Sequence, residues 1–281
     1  VTDTTHDTAG TSDDAWRTRV SGLISYRYLG TYSETRGRHE AEGWLTLRID
    51  LRGSVGLLAA PLGIALLDTA GINVDPLAVV APTRIDVHVF EPAVDVAQVR
   101  VDGRVLREGR SQFFTEGRFI DAAEPSRLLG IGSTHWAVSG PNPGFDYVDN
   151  RAGAPRSRDL PPLYEAFGAR VRDDGNLEIP ELTAELGGAG LHQGPIQVVP
   201  EAAAMRAAAD ALGHDQLWIT HLGTTIMSRG VGAPFVTHAN VLHADDEEVA
   251  VRVELRDEGN DDRLCSVTTC RFRVAAQGGE R

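Results

Sequence analysis

Apolar and polar residues alternate with a period of two along much of this chain, and two apolar stretches of helical spacing interrupt the pattern. Val249, Val251, Val253 and Leu255 are each separated by one residue, the signature of a half-buried strand. Ile85, Val87 and Val89 repeat it, as do Val99, Val101 and Val105, and further strands are predicted near 112–120, 130–138, 217–227, 235–243 and 264–274. The first helix is predicted over 54–70, through Leu57, Leu58, Leu62, Ile64, Leu66 and Leu67, with Gly71 as its stop. It is apolar nearly all round, so burial on most sides is expected. The second is predicted over 195–212. Pro195 sits in the first turn, where a missing N–H costs nothing, and Gly213 is the stop.

Each half therefore presents the same order of events: a helix, then a series of long strands. Thr83-Arg84-Ile85-Asp86 aligns with Thr220-His221-Leu222-Gly223, and Val105-Leu106 with Val241-Leu242. Pro61 and Pro200 fall at one register of the two helices, each read as an interior proline with a kink or a lost hydrogen bond. An offset of this size repeats a whole domain, not a short solenoid unit. Residues 1–15 read as a disordered tail, 16–139 as the first unit, 140–162 as a Pro/Gly-rich linker and 163–276 as the second unit. Residues 26–51 and 163–186 are expected to add strands to their units.

Composition narrows the function. The chain has 281 residues, 42% of them hydrophobic, with a formal net charge of −13. Such acidity argues against wrapping a nucleic-acid backbone or lying on an anionic membrane. No segment has the length and hydropathy of a membrane helix, and the first residues do not read as a signal peptide. Cys265 and Cys270 lie an odd number of residues apart on a strand, so neither a disulfide nor a metal pair is expected, and a reducing cytoplasm fits. His238 and His243 are likewise an odd number apart and are not expected to share a metal. No phosphate loop, zinc spacing or nucleophile elbow is found.

The segment that carries chemistry is Gly190-Leu191-His192-Gln193-Gly194-Pro195-Ile196-Gln197-Val198-Val199-Pro200-Glu201. A helix N-terminus offers unpaired N–H groups and partial positive charge, suited to a developing oxyanion. Gly194 permits close backbone approach. Glu201 has no cation three or four residues away on the helix, since its neighbours are Gln197, Val198, Ala204 and Met205. Burial among such groups raises a carboxyl pKa toward the range of a general base.

This segment, with the element order, resembles the hotdog-fold thioesterases of the phenylacetate-pathway and 4-hydroxybenzoyl-CoA type. Those carry His-Gly-Gly and then an acid nine residues after the histidine; here His192 and Glu201 keep the spacing, Gly194 keeps the second glycine, and Gln193 replaces the first. The resemblance implies an α+β double hotdog: two long central helices, each wrapped by a curved antiparallel sheet, in one chain that mimics a homodimer, the two sheets expected to be continuous. It implies an acyl-CoA or other acyl thioester as substrate, CoA entering only as part of it, with no separate cofactor and no metal. A monomer acting as a pseudo-dimer, or a homodimer of such chains, is expected.

In the resembled families the site lies between two units. Glu201, as base or nucleophile, would then face the Gly53-Ser54-Val55-Gly56 turn of the first unit, with Gln193 and Gly194 positioning substrate beside His192. In the first half Leu62 takes the place of the acid, so that site reads as degenerate, with Asp68 as a possible substitute. Thr225, with Thr224, and Arg229 are secondary candidates, Arg229 for a CoA phosphate. Enoyl-thioester hydration or dehydration, and acyl-CoA binding without turnover, are the competing functions.

Overall fold

The computed structural model describes residues 22–72, 78–141, 149–187 and 190–275. The expected tail at 1–15 and residues 142–148 of the expected linker fall outside these residues. In chain order the elements are α1 (Ile24–Arg27), β1 (Tyr32–Gly37), β2 (Glu40–Thr46), α2 (Ala59–Leu66), β3 (Ala78–Val89), β4 (Gln98–Glu108), β5 (Gln112–Asp121), β6 (Leu128–Pro141), α3 (Leu163–Ala166), β7 (Arg170–Val171), β8 (Leu177–Ile179), α4 (Gln193–Leu212), β9 (Leu217–Ile226), β10 (Phe235–Ala244), β11 (Glu248–Asp257) and β12 (Arg263–Val274). Strand β6 runs through Gly140 and Pro141, so the start of what the composition alone marks as linker is strand.

The twelve strands among the described residues join one antiparallel sheet in the order β1-β2-β4-β5-β6-β3-β9-β12-β11-β10-β8-β7. The order is palindromic about the β3–β9 contact, where Arg84 pairs with Thr225 and His88 with His221. The halves also share their irregularities. Thr83 is skipped in the β3–β6 ladder and Thr220 in the β9–β12 ladder. Each bonds its hydroxyl to the neighbouring strand, Thr83 to His135 O at 3.1 Å and Thr220 to Arg271 O at 3.2 Å. A second pair of bulges leaves Leu106 and Leu242 as the extra residues of β4 and β10. A bulge re-aims every side chain beyond it. The one in β10 places His238 opposite Glu254 and His243 opposite Ala250, on one face after all, because one residue is skipped between them. They remain four ladder positions apart, about 13 Å.

The period-two prediction matches the helix-facing side of the sheet. Ile85, Val87, Val99, Val101, Val249, Val251, Val253 and Leu255 are fully buried, while Val105 is only partly covered. Cys265 and Cys270 are both buried free thiols.

The helices depart from expectation in the first half. Helix α4 has 20 residues and ends at Gly213, whose φ of 74° permits the left-handed stop and whose N–H bonds Ala209 O at 2.8 Å. Helix α2 is far shorter. Residues 54–58 are not helical, and Ala59–Leu66 continues as a π-helical turn over Leu67–Ile72 that takes in Gly71 instead of stopping before it. The late start has two causes in the chain. Gly53 N–H closes a turn on Gly56 O, and Leu57 N–H is taken by Pro92 O. Pro61 is consequently the third residue of α2, where no intrahelical bond is lost, whereas Pro200 is interior to α4. The two prolines share a register but not a role.

Gly71 lies where the π-helical turn meets β6, and a Cβ there would overlap the ring of buried Trp136. Gly71→Ala is expected to destabilise the protein by about 1–3 kcal/mol through overpacking. Urea unfolding followed by tryptophan fluorescence measures it; an unchanged midpoint would show that Trp136 moves aside freely.

Candidate active site

Helices α2 and α4 pack antiparallel across the centre of the sheet, and three polar residues of α4, each one turn apart, lie buried along the contact: Gln193, Gln197 and Glu201 are 9%, 0% and 1% exposed. Spacing of i, i+4, i+8 puts them on one helix face. Glu201 occupies the end of this stripe that meets the start of α2. One carboxylate oxygen accepts the Ala59 N–H at 2.6 Å and the other accepts the Ala60 N–H at 2.9 Å. Helix α2 has no side-chain cap of its own and no acid in its first turn, and Pro61 carries no N–H. Its two leading donors therefore go to an acid more than 140 residues away in sequence.

Burial pushes the Glu201 carboxyl up to about 7, against the pull of the two N–H groups, which favour the anion. Among the described residues no cation pairs with it. The partial positive charge of the α2 N-terminus is what makes the ionised form tolerable there. Buried Cys270 on β12 lies close enough for the Glu201 charge to add to the burial that raises its own thiol.

The expected turn is not the one that meets the acid. Gly53 and Gly56 bond to each other through the main chain, the Ser54 hydroxyl donates to Asp215 O, and Val55 packs against the core. The turn instead lies over Met205, one helical turn beyond Glu201. The partner of Glu201 is the helix start immediately after the turn. Sequence reasoning missed Ala59 and Ala60 because it began the helix five residues too early.

His192 and Glu201 are not brought together. Nine residues of helix separate them by about 13 Å along the axis. His192 is the N-cap residue of α4. Its Nδ1 shares a hydrogen bond of 2.7 Å with the Ser25 hydroxyl and its ring stands edge-on to Tyr26. Burial, and then the charge of Arg229, lower it to about 3, so it is a neutral imidazole. Gln193 donates to the Tyr26 hydroxyl at 2.5 Å. A Cβ on Gly194 would overlap Ser25 Oγ and press on Phe167, so this glycine admits α1 and not a ligand. Asp68, in the π-helical turn, is 3% exposed, and after burial its charge is the next cause of the raised Tyr26 hydroxyl. It thus belongs to the His192 end of the stripe.

Of the secondary candidates, Arg229 is exposed and sits against Gly190 near His192. Thr225 is exposed on the outer face of β9, whereas its neighbour Thr224 is fully buried and shares a 3.0 Å hydrogen bond with Thr268. Among the described residues no group of three or more His, Cys, Asp or Glu could hold a metal, and no helix is long and apolar enough to cross a membrane.

No family model matches the chain, and no curated protein matches it. Solved structures do. A conserved protein of unknown function with hot dog fold from Alicyclobacillus acidocaldarius aligns with 87% of this chain and 96% of its own, at 13% identity and a TM-score of 0.56. An acyl-CoA thioesterase II, TesB2, from Mycobacterium marinum aligns with 91% of this chain and all of its own, at 11% identity and a TM-score of 0.58. A 12:0-ACP thioesterase from Umbellularia californica aligns with 96% of this chain and all of its own, at 11% identity and a TM-score of 0.55. The chain has the hotdog fold. At these identities the likeness concerns architecture.

The raised carboxyl makes a stability prediction. Glu201 holds its proton to about pH 7 when folded but only to about 4.5 when unfolded, so stability is full below 4.5 and falls as pH rises between those values. At about 1.4 kcal/mol per pKa unit the loss is on the order of 3 kcal/mol. Glu201→Gln removes this dependence. The melting temperature of the variant relative to wild type should therefore climb from pH 5 to about pH 7 and level off above it; a constant difference would show that the carboxyl is not perturbed.

Proposed function

We propose that this chain hydrolyses an acyl thioester with Glu201 as the base. One observation carries the reading: a sealed carboxylate with a pKa near 7 is seated on the free N–H groups of a helix N-terminus. The thioesterases among the proteins of similar fold support the substrate class. So do the shared threonine bulges, which fit two hotdog units at about 16–139 and 163–276 fused into a pseudo-dimer. The acyl chain lies in the contact between α2 and α4, which opens to admit it.

The chemistry follows from the donors. The thioester carbonyl takes one of the two α2 N–H groups, and Glu201, released from that bond, turns its freed oxygen to a water. The water oxygen bonds to the carbonyl carbon as Glu201 takes its proton. The negative charge gathers on an oxygen facing the N–H donors, which act at full strength in a site shut off from water. Collapse breaks the C–S bond, and the proton on Glu201 passes to the departing thiolate sulfur. The products are a free acid and a thiol. CoA, or another thiol carrier, is part of the substrate, and no further cofactor enters. His192 and Arg229 are too far from Glu201 for this step and stand at the N-terminal end of α4, about two turns away, where Arg229 suits a phosphate of the carrier.

A second reading also has an observation behind it. Both Glu201 oxygens are satisfied by main-chain donors and the group is 1% exposed, as a purely structural cap would be. The chain would then bind acyl thioesters without turnover. Nothing comparable favours the hydratase, since the first turn of α4 carries no acid beside His192.

Hydrolysis of a panel of acyl-CoAs, followed by thiol release, separates the two. Wild type is expected to show kcat/KM rising with a midpoint near pH 7, and Glu201→Gln to lose about 10²–10⁴-fold in kcat. Acyl-CoA binding by calorimetry with no thiol release in wild type would leave the binding reading.

A further inference from the structure

Gln197 is the least explained member of the buried stripe. It is 0% exposed and lies one turn before Glu201 on the same face. Its Nε2 donates to Gln193 O at 3.1 Å. That bond decides which end of the amide is which: the reversed amide would set two oxygens against each other. The Oε1 end is therefore the one aimed across the contact at α2, where it meets the backbone of Gly63. A Cβ on Gly63 would overlap it, and the Ile85 side chain closes the same space. No donor reaches this Oε1 among the described residues.

A buried acceptor with no donor is unfavourable, and native structures supply such groups with a protein partner or a bound water. The neighbourhood of Gln197 is specific. Gly63 lies one turn after Ala59, whose N–H holds Glu201, so the orphan oxygen and the carboxylate look onto the same strip of α2. Side chains four apart on a helix stand about 6 Å apart at Cβ, a span that one water bridges with a hydrogen bond at each end.

We propose that Gln197 Oε1 is a water-positioning group. It accepts one O–H of the water whose other O–H points to Glu201, leaving an oxygen lone pair to face the thioester carbonyl. The inference rests on the reading of Glu201 as the base. No proton is transferred to Gln197: the O–H it holds stays with the oxygen that becomes the new carboxyl group, and the proton leaving goes to Glu201. A fixed water replaces a freely tumbling one, so the contribution is one of orientation and appears in kcat and not in KM.

The test uses the full chain with Gln197→Met and Gln197→Glu, beside Glu201→Gln, on the acyl-CoA that wild type hydrolyses fastest from a panel of straight-chain and benzoyl thioesters. Methionine keeps the length and removes the unpaired acceptor, so Gln197→Met is expected to melt no lower than wild type. Its KM and pH midpoint should stay unchanged while kcat falls by about 10²-fold. Gln197→Glu places a second carboxyl beside the first and should move the pH midpoint of kcat upward. A high-resolution crystal structure of wild type should show an ordered water within hydrogen-bond reach of Gln197 Oε1 and Glu201. If Gln197→Met melts like wild type and keeps its kcat while Glu201→Gln abolishes turnover, Gln197 is only a packing residue and the inference falls alone. If Glu201→Gln leaves hydrolysis intact, the reading of Glu201 falls and takes this one with it.

Discussion

A carboxylate from one half of the chain holds the helix N-terminus of the other, and the centre of this molecule is organised around that bond. Ionised groups are rarely placed in a protein interior without a partner of opposite charge. Glu201 has none. What it has are two main-chain N–H groups that helix α2 leaves open by starting late, each of which would itself be unfavourable to bury unpaired. Acid and amides solve each other's problem, and the two helices are thereby fixed in relative position along their contact.

The same arrangement suits a site of reaction. The N–H groups that stabilise a carboxylate at rest can stabilise an oxyanion in a transition state, because both demand donors already aimed at a negative oxygen. Burial keeps the carboxyl pKa near 7, where a base is neither fully protonated nor too weak to take a proton. The polar stripe continues along α4 through Gln197 and Gln193 to the His192 end, where Ser25, Tyr26 and Asp68 gather. One end of the stripe holds a single acid on a helix terminus. The other is filled by α1, whose Ser25 occupies the space that Gly194 leaves open. The two ends of the helix contact thus differ although the sheet around them is nearly symmetric.

The sheet shows how far that symmetry extends. Paired bulges at Thr83 and Thr220, and at Leu106 and Leu242, recur in matching ladders. The helices differ within this frame: α4 has 20 residues, and α2 has eight and widens into a π-helical turn. The strands match across the sheet, and the helices are where the two halves part. A π-helical turn is itself common where a helix is bent to a purpose.

The sequence by itself determined the strands, the long second helix with its Gly213 stop, the order of elements in each half, and Glu201 as the acid to watch. These are local properties: a period of two, a run of helix formers, a glycine able to adopt positive φ, and a carboxyl with no cation in helical reach. Only the tertiary structure decided what Glu201 touches. The start of α2 is set by Gly53 closing on Gly56 and by Pro92 taking the Leu57 N–H, and the second of these contacts spans 35 residues and leaves no mark in helical periodicity. It also decided that His192 belongs to Ser25, that Gly194 accommodates a hydroxyl, that Thr224 and not Thr225 faces inward, and that His238 and His243 share a face. Each of these depends on a bulge, a helix end or a neighbour from the other half, and a pattern along one segment cannot count a residue that a ladder skips or a group that arrives from more than a hundred residues away.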